Sequence, residues 1–362
     1  MVDSAAELRR LRATAHGIGA ESTVAAVGQR MLAIQAQDFA AAQWAIGLRS
    51  GRTREEVLDA FSRGDLVRAW TMRGTLFAVP AGDLSWLLSL TAGRMLAQAA
   101  RRREQLGLDD RVIESAREIA VGALSGGGEV SRDEFMSLLN ESGIDPRAGR
   151  GYHVIAHLAQ TGTWCWGPVR DGMQRLVLCS EWIRAARALE PDEALGEYLV
   201  RYLGGHGPAA LRDFVGWSKL SLGEARRARA VAGDRILAYG DDLLMNADAD
   251  ATPGTAQRRR RFAASVQLLP GFDEFYLGYT DRSPIIDTAD ENLVVPGGNG
   301  VFQPTVMRGG RVLALWRRAV VKKGVRVEVT PFASAPASLA DSPALRRASR
   351  EYARFLGQPL VA

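Results

Sequence analysis

The sequence predicts an α+β protein: helix-plus-hairpin units in tandem, followed by a β-rich closing segment. Three observations predict it. Apolar residues recur at three- and four-residue steps, the mark of amphipathic helices. Runs of β-branched and aromatic residues broken by glycine follow them, the mark of hairpins. That alternation occurs three times, and beyond residue 250 the chain changes to short β-rich pieces.

In the first unit, 1–100, Val24, Val27, Met31 and Ile34 make one apolar face along ESTVAAVGQRMLAIQ, residues 21–35. Further helices are expected over 39–49 and 54–63. LVRAWTMRGTLFAVP, 66–80, then reads as two short strands turning around Gly74. Helices followed by a short hairpin form the winged-helix pattern. The second unit, 101–188, repeats it. Two helices lie over 109–139, the second opened by a Ser131–Glu134 capping box, and a third over 150–161. TWCWGPVRDGMQRLVL, 163–178, is a hairpin turning at Asp171-Gly172. In the third unit, 189–250, DEALGEYLVRYLGGHGP is a helix ended by glycines. Two short helices with a turn near Ser221 and a strand at DRILAYG follow. The last region, 251–362, opens with a polar linker ending in the Arg258–Arg261 run. Beyond it ASVQLLP, NLVVP, FQPTVMRGGRVLALWRR and VRVEVTPF read as a small antiparallel sheet or barrel, with a turn at Gly309-Gly310. DSPALRRASREYARFLG is a closing helix.

Composition narrows the function classes. The 362 residues are 47% hydrophobic, enough for ordinary cores, and contain no long uncharged apolar run, so no membrane span is expected. The start, MVDSAAELRRLRATAHG, lacks the apolar stretch of a secretion signal. Cys165 and Cys179 have no CxxC spacing and read as reduced core residues, so a cytoplasmic location is expected. The four histidines are scattered, and His153 and His157 lack the HExxH glutamate, so no metal or other cofactor is expected. Glycine-rich phosphate loops and nucleophile motifs are missing, which argues against an ordinary metabolic enzyme. Net charge is +5, and only Lys219, Lys322 and Lys323 are lysines. Arginine forks suit phosphate oxygens and stack on bases.

One stretch sits badly in a core helix. In RMLAIQAQDFAAAQW, residues 30–44, Gln35 and Gln37 lie two apart with Asp38 beside them. Buried amides are costly without partners. On a regular helix, residues two apart point about 200° apart and cannot share a site. The helix is therefore expected to end near Gln35 and turn through Ala36 to Asp38. Both amides then face one cavity, or both are turn residues bonded to backbone. Asp38 is either an active carboxylate or the N-cap of the helix starting at Phe39.

Five stretches together resemble the AlkZ-like family of winged-helix DNA glycosylases, of the azinomycin-resistance type. They are LAIQAQD (32–38), WTMRGTLFAVP (70–80), GPAALRDFVGWSKL (207–220), LLPGFDEFYLGYTDRS (268–283) and GVFQPTVMRGGRVLALWRR (300–318). They run in family order over nearly the whole chain. The resemblance implies three tandem winged helices and a C-terminal antiparallel β-barrel, curved into a C shape around double-stranded DNA. It implies monofunctional excision of N7-alkylated guanines, including bulky adducts and crosslinks. Its catalytic motif is glutamine, an apolar residue, glutamine: here Gln35-Ala36-Gln37. A sister branch resembling YcaQ has aspartate at the second position, so Gln37 places this chain on the AlkZ side. One departure stands out: relatives often read RGTLH where this chain reads RGTLF, with Phe77.

The chemistry fits amides. An N7-alkylguanine is already cationic and departs as a neutral base, so it needs no protonation. What is needed is a positioned water and tolerance of oxocarbenium-like charge on the sugar. Each glutamine offers a carbonyl acceptor and an NH2 with two donors, and neither is a strong base. Asp273 and Glu274 are candidate accessory groups, lining a cleft with Tyr279, Asp281 and Arg282; the plain alternative pairs Asp281 with Arg282 in a turn. Arg73, Arg258, Arg259, Arg260 and Arg282 are the candidate DNA contacts. Trp70 and Trp217 are expected in cores. The expected partner is duplex DNA carrying an alkylated guanine, bound by a monomer. The alternative function is a non-catalytic winged-helix regulator, with GEARRARA (223–230) as recognition helix; sequestration of a free drug is a third class.

Overall fold

The structure, a computed structural model, describes residues 4–18, 22–249 and 256–361. The first unit begins with α1 (Ser4–Ala15) and α2 (Val24–Met31). Leu32 takes φ 59°, so α2 stops four residues before Gln35, earlier than the apolar spacing suggests. The chain continues extended as β1 (Ile34–Gln35). Next come α3 (Phe39–Ser50), capped by Asp38 and closed by Gly51, and α4 (Arg54–Arg63), opened by a Thr53–Glu56 capping box. β2 (Leu66–Met72) and β3 (Thr75–Pro80) form the hairpin. A long helix follows, α5 (Leu84–Gln105), to which the sequence pattern assigns nothing. Its buried residues crowd into the first half and its end is the polar RRREQ, so no single apolar stripe runs along it.

The second unit holds α6 (Asp110–Leu124), α7 (Arg132–Glu141), α8 (Arg150–Gln160), β4 (Trp164–Arg170), β5 (Met173–Leu178) and the short α9 (Cys179–Trp182). The expected capping box at Ser131 forms, and Asp171-Gly172 makes the turn with both φ positive. The third unit comprises α10 (Pro191–His206), β6 (Ala209–Ala210), α11 (Leu211–Ser218), α12 (Leu222–Ala232), β7 (Ile236–Tyr239) and β8 (Leu243–Asn246). Cys165 and Cys179 are both free.

In the last region the arginine run is helical, α13 (Ala256–Ala264), where a linker was expected. Strand β9 (Val266–Leu269) is followed by α14 (Glu274–Leu277) and α15 (Glu291–Val294). NLVVP is thus helical, not a strand, and FDEFYLGYTDRS is a capped turn of helix and loop. Then come β10 (Thr305–Arg308), β11 (Arg311–Val321), β12 (Gly324–Pro331) and α16 (Pro343–Phe355).

Three antiparallel sheets result. The first joins two units in the order β1-β3-β2-β4-β5, the hairpins meeting at Arg68 and Trp166. The third unit has β6-β8-β7. The last region has β12-β11-β10-β9, which does not close into the expected barrel. Four strands are too few to enclose a filled interior. Helices α3 and α16 cover its apolar face instead, in one core containing Trp44, Leu268, Val306, Trp316, Tyr352 and Phe355. The Trp44 indole N–H donates to the Leu268 carbonyl at 2.6 Å across that seam. A second core joins β2, β3, α5, α10 and α11 through Phe77, Trp86, Tyr198, Phe214 and Trp217. First-unit elements therefore contact both the third unit and the last region, and Gln35 lies where they meet.

Candidate active site

Strand β1 brings the two glutamines to the first sheet. Gln35 stands opposite Phe77, and the Ala36 N–H donates to the Leu76 carbonyl at 2.7 Å. Directly opposed residues project to the same sheet face, so Gln35 and Phe77 share one face of the sheet. Gln35 is 6% exposed, and its Oε1 has no hydrogen-bond partner among the described residues. Gln37 is exposed, and its Oε1 accepts the Leu76 N–H at 3.2 Å. A backbone N–H only donates, so this contact fixes which end of the Gln37 amide is oxygen. The NH2 end keeps its two donors.

The next two expectations divide. Asp38 is the N-cap of α3: its Oδ1 accepts the Ala41 N–H at 3.0 Å. Sequence reasoning did not single out Arg68, which holds the motif's backbone. Its Nε donates to the Ala36 carbonyl at 2.7 Å and one terminal NH2 to the Gln37 carbonyl at 3.3 Å. Its other NH2 donates to Gln174 Oε1 at 3.1 Å, tying the motif to the second unit's hairpin. The guanidinium also lies over the Phe39 and Trp166 rings. Burial pulls its pKa down to about 10, with the Asp38 charge acting against it. The sequence signal was an arginine inside an apolar strand run, which calls for a partner.

Behind Gln35 lies a buried polar network. The Gln35 N–H donates to Glu274 Oε1 at 2.9 Å, and the Trp217 indole donates to Glu274 Oε2 at 2.8 Å. Glu274 is fully buried, and Oε2 is 3.6 Å from His206 Nε2, another atom without a hydrogen-bond partner. Asp273 caps α14 and pairs bidentately with Arg49, both contacts at 2.9 Å. Tyr279 OH donates to the His206 carbonyl at 2.7 Å and lies 3.0 Å from His16 Nε2. The tyrosine proton is thus used, so His16 Nε2 is the protonated nitrogen. Its Nδ1 then accepts from Arg49 at 3.3 Å. Burial, then the His206, Arg49 and Arg12 charges, hold the His16 pKa well below the usual histidine value. Asp273, Glu274 and Tyr279 thus line a buried seam between units rather than the open cleft expected for them. His16, Arg49 and His206 were missed, because distant segments supply them.

The arginines scatter. Arg73 sits at the tip of the β2–β3 hairpin, half-buried, with φ 58°. Arg260 is exposed on α13; the side chains of Arg258 and Arg259 lie outside the described residues. Arg282 folds over the Tyr276 and Phe302 rings and donates to the Tyr276 carbonyl at 2.9 Å. Asp281 pairs at 3.5 Å with Arg212, not Arg282. Trp70 and Trp217 are core residues, 4% and 1% exposed. No group of metal-ligating side chains occurs among the described residues, nor does any helix there suit a membrane span.

Comparison with known proteins decides the family. A model of the family described as "DNA glycosylase AlkZ-like" matches residues 29–355. The chain belongs to the AlkZ-like DNA glycosylase family. It is accordingly a DNA N-glycosylase. A curated relative from Streptomyces sahachiroi, the "Interstrand DNA cross-link repair glycosylase", is 28% identical over 319 residues, covering 84% of this chain and 83% of the relative. The solved Streptomyces sahachiroi DNA glycosylase AlkZ superposes with a TM-score of 0.79 at 24% identity, covering all of both chains, and so shares the fold.

Proposed function

We propose that this AlkZ-like enzyme hydrolyses the N-glycosidic bond of N7-alkylguanine in duplex DNA, with Gln35 and Gln37 as the catalytic pair. Its range would include bulky adducts and crosslinks, in keeping with the name of the Streptomyces relative. The observation that carries the proposal is the unpartnered Gln35 carbonyl, two residues along the chain from a Gln37 amide whose orientation is fixed. A buried acceptor without a donor is costly, about 1–3 kcal/mol, and a water or substrate hydrogen relieves it.

In this reading the C1′–N9 bond breaks with its electron pair going to the purine, which cancels the alkyl-induced positive charge. The Gln35 carbonyl orients the attacking water, and both amide dipoles face the cationic sugar. The water oxygen bonds C1′ and its proton passes to solvent. Weak bases suffice because the leaving group is neutral, and the same weakness spares normal guanine. Arg68 and Glu274 act as positioning residues: one holds the motif's carbonyls, the other the Gln35 N–H. Asp273, paired with Arg49, caps the helical turn that begins at Glu274. The helix–hairpin units would serve as winged helices arranged in a C shape along the duplex, with Arg73, Arg258, Arg259, Arg260 and Arg282 among the DNA contacts. The enzyme would work as a monomer in the cytoplasm.

The test is a duplex with one N7-methylguanine and a second with one bulky N7-guanine adduct. Each is incubated with wild type and with a Gln35→Ala, Gln37→Ala double variant, and abasic sites are scored by alkaline cleavage. Wild type is expected to make abasic sites in both duplexes and the variant in neither. Absence of abasic sites with wild type would overturn the proposed substrate.

A further inference from the structure

A second constellation lies on the same hairpin as the Gln37 contact. A cavity of about 300 Å³ is lined by Met72, Arg73, Arg94, Gln98, Lys219 and Leu220, among others. Three cations therefore face one space. Arg94 pairs with Glu224 at 2.9 Å and also donates to the Lys219 carbonyl, which ties α5 to the end of α11. Arg73 and Lys219 have no carboxylate within ion-pair distance among the described residues. Partial desolvation, then the Arg73 charge, lower the pKa of the exposed Lys219 ammonium.

The backbone adds an independent argument. Arg73 and Lys219 both occupy the left-handed region, with φ of 58° and 61°. Arg73 is the first residue of a two-residue hairpin turn with Gly74 at φ 69°, a place where Asn or Gly is favoured. Lys219 is the C-terminal cap of α11, where Gly is the ordinary choice. Two of the six non-glycine positive-φ residues in the described chain are thus cations lining one cavity. Strain kept at such positions points to a role for the side chain.

We infer that Arg73, Lys219 and Arg94 form a binding site for one backbone phosphodiester of the DNA substrate. This rests on the glycosylase reading above and supplies it with a register. Arg73 is three residues from Leu76, whose N–H holds Gln37. Three residues of chain span at most about 10 Å, which bounds the backbone separation of Arg73 and Leu76. A span of that size is at most one to two nucleotides along a strand. The site thus sets which nucleotide reaches the glutamine pair, and positions DNA without reading its sequence.

The variants that test it are Arg73→Asn and Lys219→Gly. Each replaces a strained residue with one suited to the same φ, so folding is expected to be as stable as wild type or more so. Binding is measured by fluorescence anisotropy on a duplex with a 2′-fluoro N7-methylguanine, across a salt series. Loss of one phosphate contact is expected to reduce the slope of log K against log[salt] by about 0.9. Single methylphosphonates are then placed in turn around the lesion. Wild type is expected to lose affinity most at one position, one or two nucleotides from the lesion, and the variants to lose that position's effect. An unchanged salt slope and a flat methylphosphonate profile would overturn the site, and so would lower stability with unchanged binding. Abasic-site formation by wild type is run in parallel. If it succeeds while the scan is flat, only the phosphate site fails; if it fails, the glycosylase substrate is wrong.

Discussion

Removing the Glu274 carboxylate reports directly on the seam behind Gln35. Glu274 is fully buried and accepts from the Gln35 N–H at 2.9 Å and the Trp217 indole at 2.8 Å. Glu274→Ala strands both donors away from water, at about 1–3 kcal/mol each, so a loss of about 2–6 kcal/mol is expected. Glu274→Gln keeps one carbonyl oxygen and turns an NH2 toward the other donor, so roughly half that loss follows. Urea unfolding followed by tryptophan fluorescence measures both, with a second probe to check that the transition is single. Adding Trp217→Phe closes a double-mutant cycle, and contact between the two side chains requires a coupling of about 0.5–3 kcal/mol. Excision by Glu274→Ala, at a temperature where it is folded, is expected to fall on the order of 10²-fold, because the Gln35 backbone loses its anchor. A Glu274→Ala variant within about 1 kcal/mol of wild type, or a strictly additive cycle, would refute the reasoning.

Further outcomes are expected elsewhere. Asp38→Ala should cost about 1 kcal/mol of stability as a lost helix cap and change excision little; a large loss of excision would make Asp38 a catalytic group. Arg68→Ala releases two motif carbonyls, so single-turnover excision should fall on the order of 10²-fold while duplex binding persists. His16 is buried neutral among His206, Arg49, Arg12 and Tyr279 and its folded pKa is depressed, so the unfolded chain binds the extra proton in acid. Its contribution is fully present above about pH 6.5 and is lost as pH falls toward the folded value, by up to about 1.4 kcal/mol per unit. His16→Asn should flatten that part of a stability–pH curve measured by urea unfolding.

Local chemistry was legible in the sequence. The capping box at Ser131, the Asp171-Gly172 and Gly309-Gly310 turns and the cap at Asp38 all form as expected, because each depends on a few adjacent residues. The end of α2 was placed too late because Ile34 continues the apolar spacing; only the positive φ of Leu32 ends the helix. FDEFYLGYTDRS looked like a polar strand lining a cleft. Its carboxylates instead meet Arg49, Trp217 and the Gln35 backbone, partners more than fifty residues away that no local pattern supplies. The barrel expected at the C-terminus is an open four-stranded sheet, since a strand pattern does not say whether helices will cover its face. The glutamine pair itself was visible only as an anomaly: two amides and a carboxylate interrupting a buried run. The resemblance gave that anomaly its meaning, and the fold shows one amide orphaned and the other anchored.

The most direct test is the single-turnover excision rate of N7-methylguanine from duplex DNA by wild type, Gln35→Ala and Gln37→Ala, with duplex binding measured on the same samples. Each variant is expected to bind DNA within a few-fold of wild type and to lose excision by about 10²–10³-fold, as for other preorganised polar groups that stabilise charge in a transition state. Excision at the wild-type rate by folded variants would contradict the assignment of the chemistry to the glutamine pair.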